Sequence, residues 1–177
     1  MRQPRRPSGS APWITAAVLG GVALILAGLF VLVIRPAHDR HDSAPKAPGL
    51  SGAEQQAVDA GAKQIVNILT FSRKTFEADY ARTLAGATGA LRVDLEKQKP
   101  TLLAQMTTGK FDLEGTVTNS AFEEINGNNS LVLISAQGYK LPAGGRRTLA
   151  TTARFEVTMT KVDGKWLAGG LQSVGLI

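Results

Sequence analysis

The stretch FEVTMTKVDGKWLAGGLQSVGLI, residues 155–177, determines how the C-terminal half of the chain folds. Apolar and polar residues alternate along its first part, Asp163 and Gly164 form a two-residue turn signal, and a second apolar run carries Trp166. This pattern predicts a β-hairpin. Because a lone two-stranded ribbon is only marginally stable in water, the hairpin must pack against further structure.

The preceding sequence supplies more strands. Residues 111–121 and 131–139 have a strand period, and turn signals follow them at residues 126–129 and 142–145. The first strand of the hairpin extends back to residue 149, and Gly169-Gly170 is expected to mark a bulge or a close contact. Residues expected to face the core on the first and third strands are Phe111, Leu113, Val117, Ala121, Leu149, Ala153, Phe155, Val157 and Met159.

Three helices are predicted before these strands. The first begins near Ala53 and has an apolar stripe at Val58, Ala62, Ile65 and Leu69. Residues 71–73 interrupt it, and Thr75 is expected to cap a second helix that has Glu77 and Asp79 in its first turn. The expected inner face of that helix is Phe76, Tyr80, Leu84 and Ala87.

Gly89 is expected to end the second helix, and residues 91–107 predict a third. Its apolar face is Leu91, Leu95, Leu102 and Met106, and Pro100 is expected to kink or restart it. The sequence therefore predicts an α+β domain over residues 53–177, with three helices packed on a bent four-stranded antiparallel sheet. Trp166 is expected to be buried against the helices, and an exposed binding anchor is the alternative.

A membrane anchor is predicted before the domain. Residues 14–34, ITAAVLGGVALILAGLFVLVI, are uncharged and span about 31 Å as a helix, the thickness of the bilayer's hydrocarbon core. Trp13 suits the headgroup region. The run is longer than a signal-peptide core and no A-x-A-like site follows it closely, so an uncleaved single span is favoured over a signal peptide.

The anchor divides the chain into a basic tail (1–13), the span (14–34), a Pro-rich linker (35–52) and the domain (53–177). Positive charges flank the span almost equally, and the short N-terminus is expected to be cytoplasmic and the domain extracytoplasmic, at the plasma membrane. Small residues on one face of the span are expected to pack against another helix, unless they only reflect membrane composition. They are Ala16, Gly20, Ala23 and Ala27.

Composition argues against several kinds of chemistry. The formal charge of +6 is shared between the N-terminal region and the domain without a basic run with interleaved aromatics, so no nucleic acid is expected. There is no cysteine, and both histidines, His38 and His41, lie in the linker, so no catalytic residue, metal or cofactor is expected.

Two features leave a catalytic or anion-binding role open. Asp79 beside Tyr80 is the nearest carboxylate–tyrosine pair, but adjacent helical positions point about 100° apart, so an exposed acid beside a core aromatic is the simpler interpretation. Arg146 and Arg147 follow a Gly-Gly turn and are either an anion site or solvated loop charges. The residues of binding surface or core are therefore Tyr80, Tyr139, Arg146, Arg147 and Trp166.

The order of these features resembles the Mce-associated membrane proteins of actinobacteria. The resemblance lies in NILTFSRKTFEADYARTLAGATGAL (67–91) and VDGKWLAGGLQSVG (162–175), and Pro100 departs from the family's unbroken helix. It implies a cone-shaped, nuclear transport factor-like domain in the cell envelope. It also implies association with Mce complexes, which import lipids or sterols, and it supplies no catalytic residues.

Three functions follow as hypotheses. The first is a non-enzymatic accessory subunit that assembles or stabilises an Mce-type lipid import complex through protein–protein contacts. The second is an inner-membrane scaffold subunit of a type IV secretion or conjugation machine. The third is a lipid or small-molecule binder that uses a pocket inside the cone. The oligomeric state, the lipid and the binding face are left open.

Overall fold

A computed structural model describes residues 49–176 of the chain. Three helices come first: α1 (Gly52–Leu69), α2 (Phe76–Ala85) and α3 (Gly89–Gly109). Ser51 caps α1 in a capping box, because its side chain accepts from the Glu54 N–H while the Glu54 carboxylate accepts from the Ser51 N–H. Thr75 precedes α2 as expected, but its hydroxyl bonds the Asp79 carboxylate rather than a helix N–H.

Four antiparallel strands follow in a meander: β1 (Phe111–Asn126), β2 (Asn129–Pro142), β3 (Thr148–Val162) and β4 (Lys165–Leu176). Neighbours in sequence are neighbours in the sheet, in the order β1-β2-β3-β4. The last hairpin turns at Asp163 and Gly164, whose φ angles of 48° and 79° are the two positive values that a type I′ turn requires. The predicted α+β class is thus confirmed for the described residues.

The helices cover one face of the sheet. Helix α1 lies close to the strands at Gly61, where an added Cβ would be 2.7 Å from a Val132 methyl group. Most of the core lies between α1, the start of α3 and the sheet, and a smaller aromatic cluster lies between α2, the end of α3 and the start of β1. The two clusters make the helices and the sheet one packed unit.

Two expectations about the helices are wrong. Helix α2 ends at Ala85, and Gly89 begins α3 instead of ending α2. Ala87, between them, forms a bridge with Ala168 of β4, so the sheet edge captures this segment before the helix can continue. The expected restart at Pro100 is also absent, because α3 continues through residue 100 with its four predicted apolar positions buried on both sides of the proline. The alternative expectation, a kink at Pro100, stays a prediction.

Two expectations about strand faces are also wrong, and β-bulges explain both. A register shift after Val117 moves Ala121 to the solvent face and brings Phe122 inward. A second shift, at Gly138/Tyr139 opposite Ala150, places Leu149 outside, where it is 57% exposed. An extra residue inverts the side-chain alternation beyond it. The bulge expected at Gly169-Gly170 is present, since Gly169 is skipped between Ala168 and Gly170.

The membrane prediction falls outside the described residues. Among residues 49–176, no helix has the length and apolar character needed to cross a bilayer. The span at 14–34, Trp13, the small-residue face of Ala16, Gly20, Ala23 and Ala27, and the linker histidines all precede this range. They therefore stay predictions.

Candidate interaction surface

The side of the sheet that faces the helices is filled by side chains. Val132, Ile134, Val157 and Met159 each have no accessible surface, and Phe155 is 3% exposed. These residues belong to one core cluster with buried residues of α1 and α3. The described part of the cone therefore has a packed core where a pocket-based binder would need an open cavity.

A shallow groove lies at the opposite side of the sheet, beside the β1–β2 turn. Its volume is about 140 Å³. Ligand pockets for drug-sized molecules are about 300–1,000 Å³, so the groove is too small for a lipid. The lining residues are Glu124, Asn126, Asn129, Ser130, Leu131 and Thr158.

Asp79 is not the exposed first-turn acid that its position suggested. It is 8% exposed, and its carboxylate accepts hydrogen bonds from the Ser72 N–H, the Thr75 hydroxyl and Arg82, each at 2.9 Å. Burial alone would raise the pKa of Asp79, but these three donors and the charge of Arg82 lower it below its ordinary value. An acid held ionised by three partners joins the α1–α2 loop to α2 and is poorly suited to accept a proton.

Tyr80 is a core residue. Its ring lies 5.5 Å from the Phe76 ring and 5.7 Å from the Phe71 ring, centre to centre, and its hydroxyl donates to the Leu95 carbonyl of α3. Burial, with a smaller contribution from the Glu96 charge, raises the pKa of Tyr80 to about 12. Asp79 thus bonds the loop before α2, whereas Tyr80 bonds α3, and the two side chains do not share a site.

Trp166 is also buried, at 8% exposure, as expected for a core residue. It packs in the main cluster, and the Lys161 Nζ lies 5.6 Å from the centre of its ring. Its indole nitrogen has no hydrogen-bond partner within the described residues. These contacts exclude the alternative of an exposed binding anchor.

Tyr139, in contrast, is half-buried and contacts Arg147 of the β2–β3 turn. The Arg147 guanidinium carbon is 3.5 Å from the centre of the Tyr139 ring, and its Nη2 is 2.9 Å from Glu114 Oε1 on β1. The Tyr139 hydroxyl donates to Gln137 Oε1 at 2.5 Å. Arg147 is therefore a stacked and paired side chain, so the predicted anion site does not form from two free arginines.

The turn itself projects from the sheet. Every residue from 142 to 150 is exposed, and Arg146 makes no ion pair in the described part of the chain. We name these nine residues, together with Tyr139, Glu114 and the exposed Lys110, whose carbonyl accepts from the Ala143 N–H, the distal surface. The arginines and Tyr139 were predicted as residues of binding surface or core, whereas Glu114 was not singled out and Leu149 was expected in the core. Glu114 is 25 residues before Tyr139, and only the strand register brings the two opposite each other.

A family model described as "Uncharacterized protein Rv1363c/MT1408-like" matches residues 16–172. The protein named "Uncharacterized protein Rv1363c", from Mycobacterium tuberculosis (strain ATCC 25618 / H37Rv), is 28% identical over 111 residues, which cover 62% of this chain and 42% of that relative. The match thus spans about two fifths of the relative's length. Neither description refers to Mce complexes.

Solved structures share the fold. An IcmL-like type IV secretion system protein from Legionella pneumophila superposes with a TM-score of 0.59 at 11% identity, over 73% of this chain and 96% of that one. CagV, a VirB8 homologue of the Helicobacter pylori type IV secretion system, gives a TM-score of 0.56 at 10% identity, over 70% of this chain and 100% of that one. At these identities the likeness shows the fold alone.

Proposed function

The chain belongs to the Rv1363c/MT1408-like protein family, and from this premise we propose that it is a non-enzymatic, membrane-anchored assembly subunit of a multiprotein complex in the cell envelope. In this proposal residues 14–34 hold the chain in the plasma membrane, the N-terminus is cytoplasmic, and the α+β domain contacts other proteins outside. The main support for the proposal is that the domain shares the fold of CagV, a VirB8 homologue, and that its interior is packed with side chains.

Type IV secretion machines are the better supported setting. The two similar structures belong to such systems by name, and the domain covers nearly the whole of each of them. A scaffold needs an anchor, a tether and a surface for partners, and it needs no reactive group. The carboxylate of Asp79 and the hydroxyl of Tyr80 are both engaged in hydrogen bonds that join structural elements, so this pair gives no support to a catalytic role.

An Mce-type lipid import complex is the second candidate. The residues at 67–91 and 162–175 favour it through their resemblance to Mce-associated proteins. In the fold, the first stretch covers the end of α1, all of α2 and the start of α3, and the second covers the β3–β4 turn and most of β4. Asn67, Asp79 and Tyr80 are all buried in this stretch. Part of the resemblance is therefore explained by residues that pack the fold, without reference to a partner.

Affinity purification tests the proposal and separates the two settings. The full-length tagged chain is isolated from native membranes in a mild detergent, and residues 1–52 fused to an unrelated soluble domain serve as the control. We expect a defined set of envelope proteins that depends on residues 53–177, consisting either of secretion components or of Mce permease and substrate-binding components. Recovery of the same proteins with both chains, or of the full chain alone, would refute an assembly role for the domain.

A further inference from the structure

The two ends of the domain differ in how they connect to the rest of the chain. Gly61, in the middle of α1, faces Val132 near the β1–β2 turn, and Leu69, at its end, lies against Gly115 and Gly138. Helix α1 therefore begins at the end of the sheet that carries the β1–β2 and β3–β4 turns. Whatever precedes residue 49 joins the domain at that end, and the β2–β3 turn lies at the other, about 40 Å away at ~3.3 Å per residue along β2.

Basic side chains are concentrated at the end of the domain that carries the β2–β3 turn. The opposite end, where residue 49 joins the domain, is called the junction end. The basic residues at the end with the β2–β3 turn are Arg73, Lys74, Lys110, Lys140, Arg146 and Arg147. The neighbouring acids are engaged: Asp112 pairs with Arg73 at 3.0 Å, and Glu114 pairs with Arg147. Lys110 belongs to the same surface, because its carbonyl accepts from the Ala143 N–H. At the junction end, acidic and basic residues are nearly equal in number: Glu123, Glu124 and Asp163 lie near Lys161 and Lys165 in the sequence.

An apolar side chain lies among these cations. Leu149 is 57% exposed, the largest fraction among the exposed large hydrophobic residues of the described range. The bulge in β3 that turns Leu149 outward places it opposite Tyr139, next to the stacked Arg147. Arginine and tyrosine on a fixed backbone beside an apolar residue are a composition typical of protein-binding surfaces.

From this geometry we propose that the distal surface docks an acidic segment of a partner protein, with carboxylates facing Arg146 and Lys110 and one apolar side chain against Leu149. The inference rests on the proposed assembly function and adds the face and the chemistry of the partner. A protein is the occupant, and not the bilayer, because the distal surface points away from the end at which the predicted anchor joins the domain.

Site-specific photo-crosslinking in native membranes tests the proposal. The full-length chain carries benzoylphenylalanine at Leu149 or, as the matched control, at Val162, an exposed apolar residue at the junction end that is 37% exposed. We expect a protein crosslink from position 149 whose partner peptide, sequenced by mass spectrometry, is rich in Asp and Glu. Arg146→Glu should lower its yield about five-fold or more, and Lys165→Glu, at the other exposed turn, should change it less than about two-fold.

The outcomes separate this proposal from the assembly function. A protein crosslink at position 162 but not at 149 would overturn the docking surface and leave the assembly role intact. A crosslink from 149 to lipid or glycan, or to a protein segment without acidic residues, would also overturn it, as would insensitivity to Arg146→Glu. A far-UV circular dichroism melt identical to the parent's is required of each variant, so that loss of crosslinking is not loss of folding.

Discussion

Arg147 stacks on Tyr139, with its guanidinium carbon 3.5 Å from the ring centre, and this contact joins the β2–β3 turn to the strand that enters it. Glu114 on β1 completes the arrangement through its ion pair with Arg147. Three neighbouring segments, β1, β2 and the β2–β3 turn, are thereby connected at an exposed end of the domain. A docking surface that is already ordered loses less conformational entropy on binding than a mobile loop.

A double-mutant cycle measures this contact. Arg147→Ala and Tyr139→Ala, singly and together, should give a coupling of about 0.5–1 kcal/mol in the free energy of unfolding, because the pair is partly solvated. Urea denaturation of the full chain in detergent supplies the energies. The matched cycle of Arg146→Ala with Tyr139→Ala should show no coupling, and equal coupling for both arginines would contradict the specific stack.

How far the sequence predicts the fold depends on whether a feature is local. The apolar stripe of α1, the Asp163-Gly164 turn and the four apolar positions of α3 are local patterns, and all are found. Which side chains of β1 and β3 face the core could not be predicted in the same way. Single-residue bulges after Val117 and at Ala150 invert the alternation, and a bulge leaves no periodic signal in the sequence. The burial of Asp79 depends on donors in the preceding loop and on Arg82, whose arrangement only the folded chain defines.

Asp79→Asn should lower the free energy of unfolding at pH 7 by about 1–3 kcal/mol, because an amide replaces a charged acceptor of three hydrogen bonds. The pKa of Asp79 is lower in the folded chain than its ordinary value of 3.8, so the ionised form favours folding. This contribution is complete above pH values near the unfolded pKa and is lost as the pH falls through the folded pKa.

The measurement is urea denaturation at pH 7 and at a series of values down to pH 3. The difference between the parent and Asp79→Asn should shrink at the acidic end. Glu77→Gln is the matched control, since Glu77 is an exposed acid in the same helical turn and should change stability by less than about 0.5 kcal/mol. A constant difference across the series would show that the charge of Asp79 has no part in the effect.

Tyr80 should resist ionisation until about pH 12, because its ring is buried and the Glu96 charge adds to that effect. The chain has two tyrosines, so Tyr139→Phe leaves Tyr80 as the only phenol. Absorbance at the tyrosinate band, followed from pH 8 to 13 on this variant, should show a single late transition. Since an unfolded tyrosine ionises near pH 10, the folded state should lose relative stability between about pH 10 and 12. Ionisation near pH 10 in a chain that is still folded would contradict the buried position.

Pro100→Ala should stabilise the domain. Helix α3 continues through residue 100, where proline supplies no N–H for the Glu96 carbonyl, and a helix-interior proline costs about 3 kcal/mol relative to alanine. Because α3 accommodates the proline without interruption, we expect only part of this cost to be recovered, a gain of about 1–2 kcal/mol. It should be seen as a higher melting temperature in far-UV circular dichroism. Thr101→Ala is the matched control: Thr101 is the next exposed helical position, and its replacement should gain at most about 0.7 kcal/mol. A loss of stability in Pro100→Ala would mean that the proline is needed to shape α3 around the aromatic cluster, and that the helix is not a regular one interrupted by a single unfavourable residue.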